Sequence, residues 1–155
     1  MQNVLRAIGV LFVTGLSFNV WANNEGSGCE LQLEANDRMQ FVQKQLMVDS
    51  ACETVSILLK HSGKLPVAAM GHNVVVSLES DMQGIAADSF KAGVANRYVS
   101  PSDKRVIAAS DVIGGGESTR VSFATALLDP AQRYVFFCAA PGHWVMMKGE
   151  LVMLP

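Results

Sequence analysis

The chain has 155 residues, half of them hydrophobic, and a formal net charge of −2. This length predicts a single domain, and the hydrophobic fraction is sufficient for a core. Because charges of both signs are mixed along the chain, the basic surface of a nucleic-acid-binding protein is not expected.

The N-terminal segment has the pattern of a secretory signal peptide. Arg6 supplies a positive charge and an apolar stretch follows it. Val20 and Ala22 then occupy the −3 and −1 positions of a signal-peptidase site, which predicts removal of residues 1–22, a mature domain of residues 23–155 and a periplasmic location. A membrane anchor is the competing interpretation, but the apolar run is too short to span comfortably. No stable membrane association is therefore expected.

The mature sequence alternates mainly between short apolar segments and turn signals, a pattern typical of an all-β sandwich or barrel. One stretch, residues 80–94, is rich in alanine, lacks alternation and begins with a possible helix cap, Ser80-Asp81. It predicts a short helical insertion. The segments expected to form strands are residues 29–37, 39–49, 54–61, 73–79, 105–113, 119–128, 134–139 and 149–154.

The three cysteines are informative because export would place them in an oxidising compartment, where disulfides persist. Cys29 and Cys52 enclose 22 residues and can pair. Cys138 is then left over. An unpaired thiol in such a compartment is either buried and inert, or held by something.

A short segment near the end of the chain concentrates metal-binding side chains. Cys138, His143 and Met147 lie within ten residues of one another. Two histidines and a cysteine in a trigonal arrangement, with a weak axial methionine, make up a blue-copper electron-transfer site. The second histidine must be His61 or His72. His72 is the better candidate, because it follows a glycine and directly precedes a predicted strand.

Several longer motifs match a known family. They are "CELQLEANDRMQF", "HSGKLPVAAMGHN", "DMQG" followed by "ADSF", "RVIAASDVIGGGES" and "YVFFCAAPGHWVMMKGEL", in that order over residues 29–154. On these motifs the chain resembles the azurins, a family of bacterial cupredoxins. The resemblance implies a Greek-key cupredoxin sandwich or barrel with one copper ion. It also implies a carrier that shuttles single electrons between redox proteins, and not an enzyme.

The resemblance assigns a role to each residue of the copper site. It implies that Cys138 provides a thiolate and that His72 and His143 provide imidazoles. Met147 would be the weak axial ligand, with the carbonyl oxygen of Gly71 opposite it at long distance.

The same resemblance implies a set of supporting residues. Asn73 would tie the two ligand loops together, and the backbone N–H groups of Asn73 and Ala140 would donate to the thiolate sulfur. Such bonds orient metal ligands and tune their potential. Cys29 and Cys52 match the family disulfide. His61 would lie near the copper without binding it, and we expect a satisfied, partly buried histidine there.

Three residues depart from the family pattern. Ala139 replaces a hydroxyl residue that often bonds to the asparagine, so we expect a weaker link between the ligand loops. Ala140 replaces a bulky aromatic residue, which would admit water nearer the copper, and Trp144 would restore part of the apolar cover. The resemblance also implies an apolar docking patch around the exposed edge of the copper histidine, formed by Met39, Leu65, Met70, Met82 and Trp144.

The partners implied are transient redox proteins, such as c-type cytochromes, reductases or oxidases, that meet a monomer through a small interface. One alternative is an enzyme in which Cys138 and His143 form a nucleophile–base pair, although no orienting acid accompanies them. A multicopper oxidase would need more than the three histidines present. A periplasmic copper-delivery protein and a zinc-bound structural protein remain as further alternatives.

Overall fold

A computed structural model describes residues 29–154 of the protein; the predicted signal peptide, residues 1–22, lies outside them. The described chain folds into two β-sheets with two helices and three 3₁₀ turns. The strands are β1 (Glu30–Asn36), β2 (Gln40–Phe41), β3 (Gln45–Asp49), β4 (Thr54–His61), β5 (Val75–Leu78), β6 (Val106–Ala109), β7 (Ser118–Ala124), β8 (Tyr134–Phe137) and β9 (Lys148–Leu154). The helices are α1 (Val67–Met70) and α2 (Glu79–Ala92), and the 3₁₀ turns are Val94–Asn96, Thr125–Leu127 and His143–Val145.

The two sheets are mixed. One has the strand order β2-β1-β4-β7 and the other the order β3-β9-β8-β5-β6. The pairs β1–β4 and β3–β9 are parallel, whereas the remaining neighbours are antiparallel. The prediction of a β-sandwich with one helical insertion is confirmed.

Strand patterning explains where the core lies. Burial alternates strictly along β4, so one of its faces packs into the space between the sheets. The central strands β5 and β8 are covered on both faces. Val76 and Phe136 enter the core between the sheets, while Val75 and Phe137 enter a second apolar cluster under α2. This α2 cluster comprises Val75, Met82, Ile85, Ala86, Val99, Val135, Phe137 and Ala139.

Helix α2 corresponds to the predicted insertion at residues 80–94. It begins one residue before that segment and ends two residues before the end of the segment. Its N-cap position is held by Leu78 without a side-chain hydrogen bond, so Ser80 is not the cap that the sequence indicated. Glu79 and Asp81 instead place negative charge in the first turn, where the helix dipole favours it. The helix ends at Gly93, whose φ of 73° is a left-handed value.

The segment 39–49, expected to be one strand, is two. Strand β2 pairs with β1 in the first sheet, whereas β3 pairs with β9 in the second. Between them Val42 donates its N–H to the carbonyl of Glu34 and leaves its side chain 54% exposed. The chain therefore crosses from one sheet to the other at this corner.

The expected disulfide between Cys29 and Cys52 is present, with a Cα–Cα distance of 5.5 Å. It lies at the beginning of β1, whereas the other end of β1 approaches the ligand residues described below. Cys138 is unpaired and fully buried within the described chain. Neither of the helices in residues 29–154 is long and apolar enough to cross a membrane.

Candidate metal centre

Three potential ligand atoms converge at one end of the sandwich. The Sγ atom of Cys138 lies 3.9 Å from Nδ1 of His72 and 3.6 Å from Nδ1 of His143. The two Nδ1 atoms are 3.2 Å apart. The structure therefore brings together the cysteine and the two histidines predicted from the sequence.

His72 is held on two sides. Its backbone exchanges hydrogen bonds with Ile113, at 2.9 and 2.8 Å. Its ring atom Nε2 lies 3.0 Å from the carbonyl oxygen of Asn36 at the end of β1. A carbonyl oxygen can only accept, so Nε2 carries the proton and Nδ1 presents its lone pair to the site.

The loop from Cys138 to Met147 is closed by its own backbone. The N–H of Cys138 donates to the carbonyl of Met147 at 3.0 Å, and the N–H of Met147 donates to the carbonyl of His143 at 2.8 Å. His143 in turn donates to Ala140 at 2.9 Å. Gly142 makes the turn possible with a φ of 82°, a value that glycine adopts without steric cost.

Burial sets the protonation of the three ligands in the metal-free chain. It lowers the pKa of His72 to about 4 and also lowers the pKa of His143. Burial raises the pKa of Cys138 to about 11, although backbone N–H groups of Asn73 and Ala140 favour the thiolate. At neutral pH both imidazoles are neutral and ready to bind a cation. The Cys138 thiol must release its proton when the metal binds.

The donor atoms fit a bound metal ion. A trigonal site with bonds of about 2.0 Å to nitrogen and about 2.3 Å to sulfur separates its donors by about 3.5–3.8 Å. The separations of 3.2–3.9 Å are close to these values. Two imidazoles with one thiolate, and a thioether nearby in the chain, suit copper.

The two expected axial groups differ in what surrounds them. Met147 is fully buried, whereas its neighbour Met146 is 58% exposed. Gly71 has an ordinary φ of −70°, so this position does not need glycine for its conformation. It needs glycine for space, because a Cβ would lie 2.6 Å from the carbonyl oxygen of Val67 and 2.9 Å from a methyl group of Val112.

Asn73 links the two ligand loops through its side chain. Oδ1 accepts the backbone N–H of Ala139 at 2.8 Å, and Nδ2 donates to the carbonyl of Arg97 at 2.7 Å. The backbone N–H of Ala139 thus links the two loops. Alanine has no hydroxyl to add a second bond, so a weaker link between the loops stays a prediction. Arg97 was not identified from the sequence, because its contribution is a main-chain carbonyl that no side-chain pattern reveals.

The small residues beside the ligand cysteine are covered. Ala139 is fully buried and Ala140 is 4% exposed; the admission of water nearer the copper stays a prediction. Trp144 packs against the α2 cluster, of which Ala139 is a member. The Nζ atom of Lys148 lies over the Trp144 ring, 5.8 Å from its centre, within the range of a cation–π contact.

His61 lies beside the site without joining the donor set. Its ring centre is 4.7 Å from that of His72. The expectation of a satisfied, partly buried histidine was wrong, because His61 is only 2% exposed and its Nδ1 atom has no hydrogen-bond partner among the described residues. Its Nε2 atom is 3.2 Å from Oδ1 of Asp37. Backbone N–H groups of Lys64 and Leu65, together with His61, lower the pKa of Asp37. Asp37 is a neighbour that the motifs did not single out.

Most of the expected docking patch reaches the surface, but one member does not. Met82 is 8% exposed and packs in the α2 cluster, so its assignment to the patch was wrong; it lies on the inner face of the helix. Val145 and Met146, 56% and 58% exposed, add apolar surface next to His143 that the prediction missed. The members that are exposed or half-buried are Met39, Leu65, Met70 and Trp144.

The fold and the donor set together define a cupredoxin with a type 1 copper centre. Residues 27–154 match the sequence profile of the copper-binding proteins described as the plastocyanin/azurin family. The chain belongs to this family. It is a blue-copper electron-transfer protein that binds one copper ion, with His72, Cys138 and His143 as the converging donors.

Individual relatives support this assignment. The chain is 52% identical to azurin from Alcaligenes faecalis over 123 residues, which cover 79% of this chain and 96% of the relative. It is 50% identical to azurin from Achromobacter denitrificans, covering 79% and 83%. A solved azurin, Az-iso2 from Methylomonas sp. strain J, superimposes with a TM-score of 0.79 at 36% identity, covering 82% of this chain and 98% of that one.

Proposed function

We propose that the mature chain, residues 23–155, is a monomeric periplasmic carrier that moves single electrons between redox proteins such as c-type cytochromes, reductases and oxidases. Bound copper supplies the one-electron Cu(I)/Cu(II) couple. The observation that carries the proposal is the convergence of His72, Cys138 and His143 in a buried, hydrogen-bonded site.

The protein's contribution is rigidity. His72 is fixed by β1 and by Ile113, and the Cys138–Met147 loop is closed by main-chain hydrogen bonds. Ligands held in this way move little when the metal changes its charge, and a small rearrangement favours fast electron transfer. We assign Met147 as the axial thioether and the Gly71 carbonyl as the opposite, distant group. Full burial of Met147 supports this choice over Met146.

His143 is the proposed port for electrons. His72, Cys138 and Met147 are fully buried, whereas His143 is half-buried and lies next to exposed apolar side chains. A partner that contacts this edge covers the exposed apolar side chains of Val145 and Met146. Small and short-lived encounters of this kind are typical of electron-transfer proteins.

The site is poorly suited to the enzymatic and copper-delivery alternatives. A nucleophilic cysteine needs exposure and a lowered pKa, whereas Cys138 is fully buried and its pKa is raised to about 11. A delivery site must release its metal to another protein. Here two of the three donors have no exposed surface, which supports retention of the ion.

The first test is the visible spectrum of residues 23–155 titrated with Cu(II). We expect an intense blue thiolate-to-copper band that saturates at one copper and bleaches reversibly on reduction. Cys138→Ser should abolish the band. Met147→Leu should shift the reduction potential while Met146→Leu leaves it unchanged. A colourless complex, or equal effects of the two methionine substitutions, would contradict the proposed ligand set.

The docking surface is tested with a matched pair of lysine substitutions. Met146 and Leu127 are both 58% exposed, but Leu127 lies near the disulfide end, where the neighbouring Thr125 bonds to Glu53. Met146→Lys should slow electron exchange with a c-type cytochrome about tenfold by placing charge in the interface. Leu127→Lys should have little effect. Equal rates would exclude the His143 side as the docking surface.

The periplasmic location has its own test. Expression of the whole chain in a Gram-negative bacterium, followed by osmotic release of the periplasm, should yield a protein whose mass corresponds to a chain beginning at Asn23. Recovery of the uncleaved chain with the membranes would favour the anchor interpretation of residues 1–22 instead.

A further inference from the structure

The side chain of Asn73 depends on a turn that lies outside both sheets. Its acceptor atom holds the N–H of Ala139, directly after the ligand Cys138. Its donor atom is held by the carbonyl oxygen of Arg97, 24 residues away in sequence. Asn73 has no exposed surface, so the Arg97 carbonyl, and not solvent, is the partner of its amide in the folded protein.

The turn has an unusual backbone. Arg97 has φ 58° and ψ 26°, and Tyr98 has φ 60°. Both are left-handed values, which are unfavourable for residues that carry a Cβ atom. The orientation of the Arg97 carbonyl is set by ψ of Arg97 and φ of Tyr98, so these two left-handed residues decide where that oxygen points.

Several contacts hold the turn in this conformation. The N–H groups of Arg97 and Tyr98 donate to the carbonyls of Val94 and Gly93, at 2.8 and 2.9 Å. The guanidinium of Arg97 donates to the carbonyl of Ala109 at 3.0 Å. Backbone strain that is maintained by surrounding contacts is often found near functional sites.

We propose that the left-handed turn at Arg97–Tyr98 is a positioning device for the copper ligand Cys138. The Arg97 carbonyl fixes the Asn73 amide, and the amide fixes the peptide N–H of Ala139. The backbone N–H of Asn73 also favours the Cys138 thiolate. If the turn left its left-handed conformation, the Asn73 side chain and backbone would both hold Cys138 less firmly. This role is additional to electron transfer and rests on Cys138 as the copper thiolate.

Two substitutions separate the backbone of the turn from the arginine side chain. Arg97→Gly and Arg97→Val both delete the guanidinium, but glycine adopts the left-handed conformation easily and β-branched valine does not. We expect Arg97→Gly to keep the wild-type ratio of the visible copper bands and the wild-type reduction potential. Arg97→Val should change both.

A metal-free readout tests the same pair without relying on the copper chemistry. In the apo protein, the amide hydrogen of Ala139 should exchange about tenfold faster in Arg97→Val than in Arg97→Gly, the factor that corresponds to the left-handed penalty. The amide of Leu59, in the other sheet, is the internal reference and should exchange equally in both. Arg97→Ala provides a milder variant with the same sign if the valine protein does not fold.

Three results would overturn the proposal. Equal changes in Arg97→Gly and Arg97→Val would assign the effect to the guanidinium, and unchanged spectra and exchange in both would remove any positioning role. Acceleration of Leu59 by the same factor as Ala139 would show only a general loss of stability.

Discussion

Asn73 has hydrogen bonds at both ends of its side-chain amide, and both partners are main-chain groups. Asn73→Ala would leave the N–H of Ala139 and the carbonyl of Arg97 without partners beside a buried site. A buried polar group without a hydrogen bond costs about 1–3 kcal/mol. We therefore expect the apo protein to lose about 3 kcal/mol of unfolding free energy, measured by urea denaturation.

The control for this prediction is Asn96→Ala. Asn96 also donates its amide to a carbonyl, that of Ala92, but it is exposed and water can replace the bond. Its substitution should change the unfolding free energy by about 0.5 kcal/mol or less. Comparable losses for the two variants would show that burial of the Asn73 amide is not what makes it important.

Among the residues of the site, the sequence predicted those that act through their side chains. Cys138 and His143 could be identified because soft and borderline donors at short spacing are rare, and His72 because it follows a glycine and directly precedes a predicted strand. Arg97 could not, because a carbonyl acts through backbone dihedral angles rather than through residue type. Met82 was misplaced for a related reason: a methionine suits an apolar surface and a core equally well, and its helix face decides between them.

Helix α2 is joined to the segment before β6 by one arginine. Arg105 donates to Asp103 at 2.7 and 2.8 Å and to Asp88 of α2 at 2.7 Å. The Asp103 side chain is 9% exposed and that of Asp88 is 63% exposed. The hydrogen bonds from Arg105 lower the pKa of Asp103 in the folded protein, so this carboxylate stabilises the fold in its charged form.

The lowered pKa predicts the pH range in which this contact matters. Its stabilisation is present in full above the ordinary carboxyl pKa of about 4 and is lost as the pH falls through the lower folded value. Asp103→Asn should therefore lower the Tm by a few degrees at pH 7, and the difference from wild type should shrink toward pH 3.

Asp88→Asn is the matched control, since an exposed ion pair contributes little, and its Tm should follow wild type across the same range. A difference between Asp103→Asn and wild type that stays constant from pH 7 to pH 3 would contradict the electrostatic explanation.

The sequence indicated which segments form strands better than it indicated which strands pair with one another. The runs in β5 and β8 indicated strands. Apolar residues on both faces of these strands, such as Val75 with Val76 and Phe136 with Phe137, are explained by α2, which covers the second face. Residues 39–49 alternate well enough to indicate a strand, but alternation is a local signal. It does not show that the chain leaves one sheet after Phe41 and enters the other at Gln45.

On the scale of the whole molecule, the disulfide and the metal centre lie at opposite ends of strand β1. The disulfide lies at the beginning of β1, while Asn36, at its end, accepts from the ligand His72. Strand β1 has seven residues, the last of which is Asn36, and its length is about 20 Å at the usual rise. The topology could not be read from the sequence pattern, because it requires pairs such as β1–β4 and β3–β9 that are distant along the chain.

This separation predicts that the disulfide can be removed without changing the copper site. The double substitution Cys29→Ala/Cys52→Ala removes a cross-link between positions separated by 23 in the sequence, and loop-closure entropy gives a loss of about 3 kcal/mol in unfolding free energy. Urea denaturation of the apo protein should measure this loss.

The visible spectrum and the reduction potential should stay at wild-type values, because the supports of Cys138 and His72 come from β1's far end, the Asn73 amide and the ligand loop. A shifted potential in the double variant would mean that strand β1 transmits the loss of the disulfide to Asn36. The copper site would then depend on the disulfide at the opposite end of the sandwich.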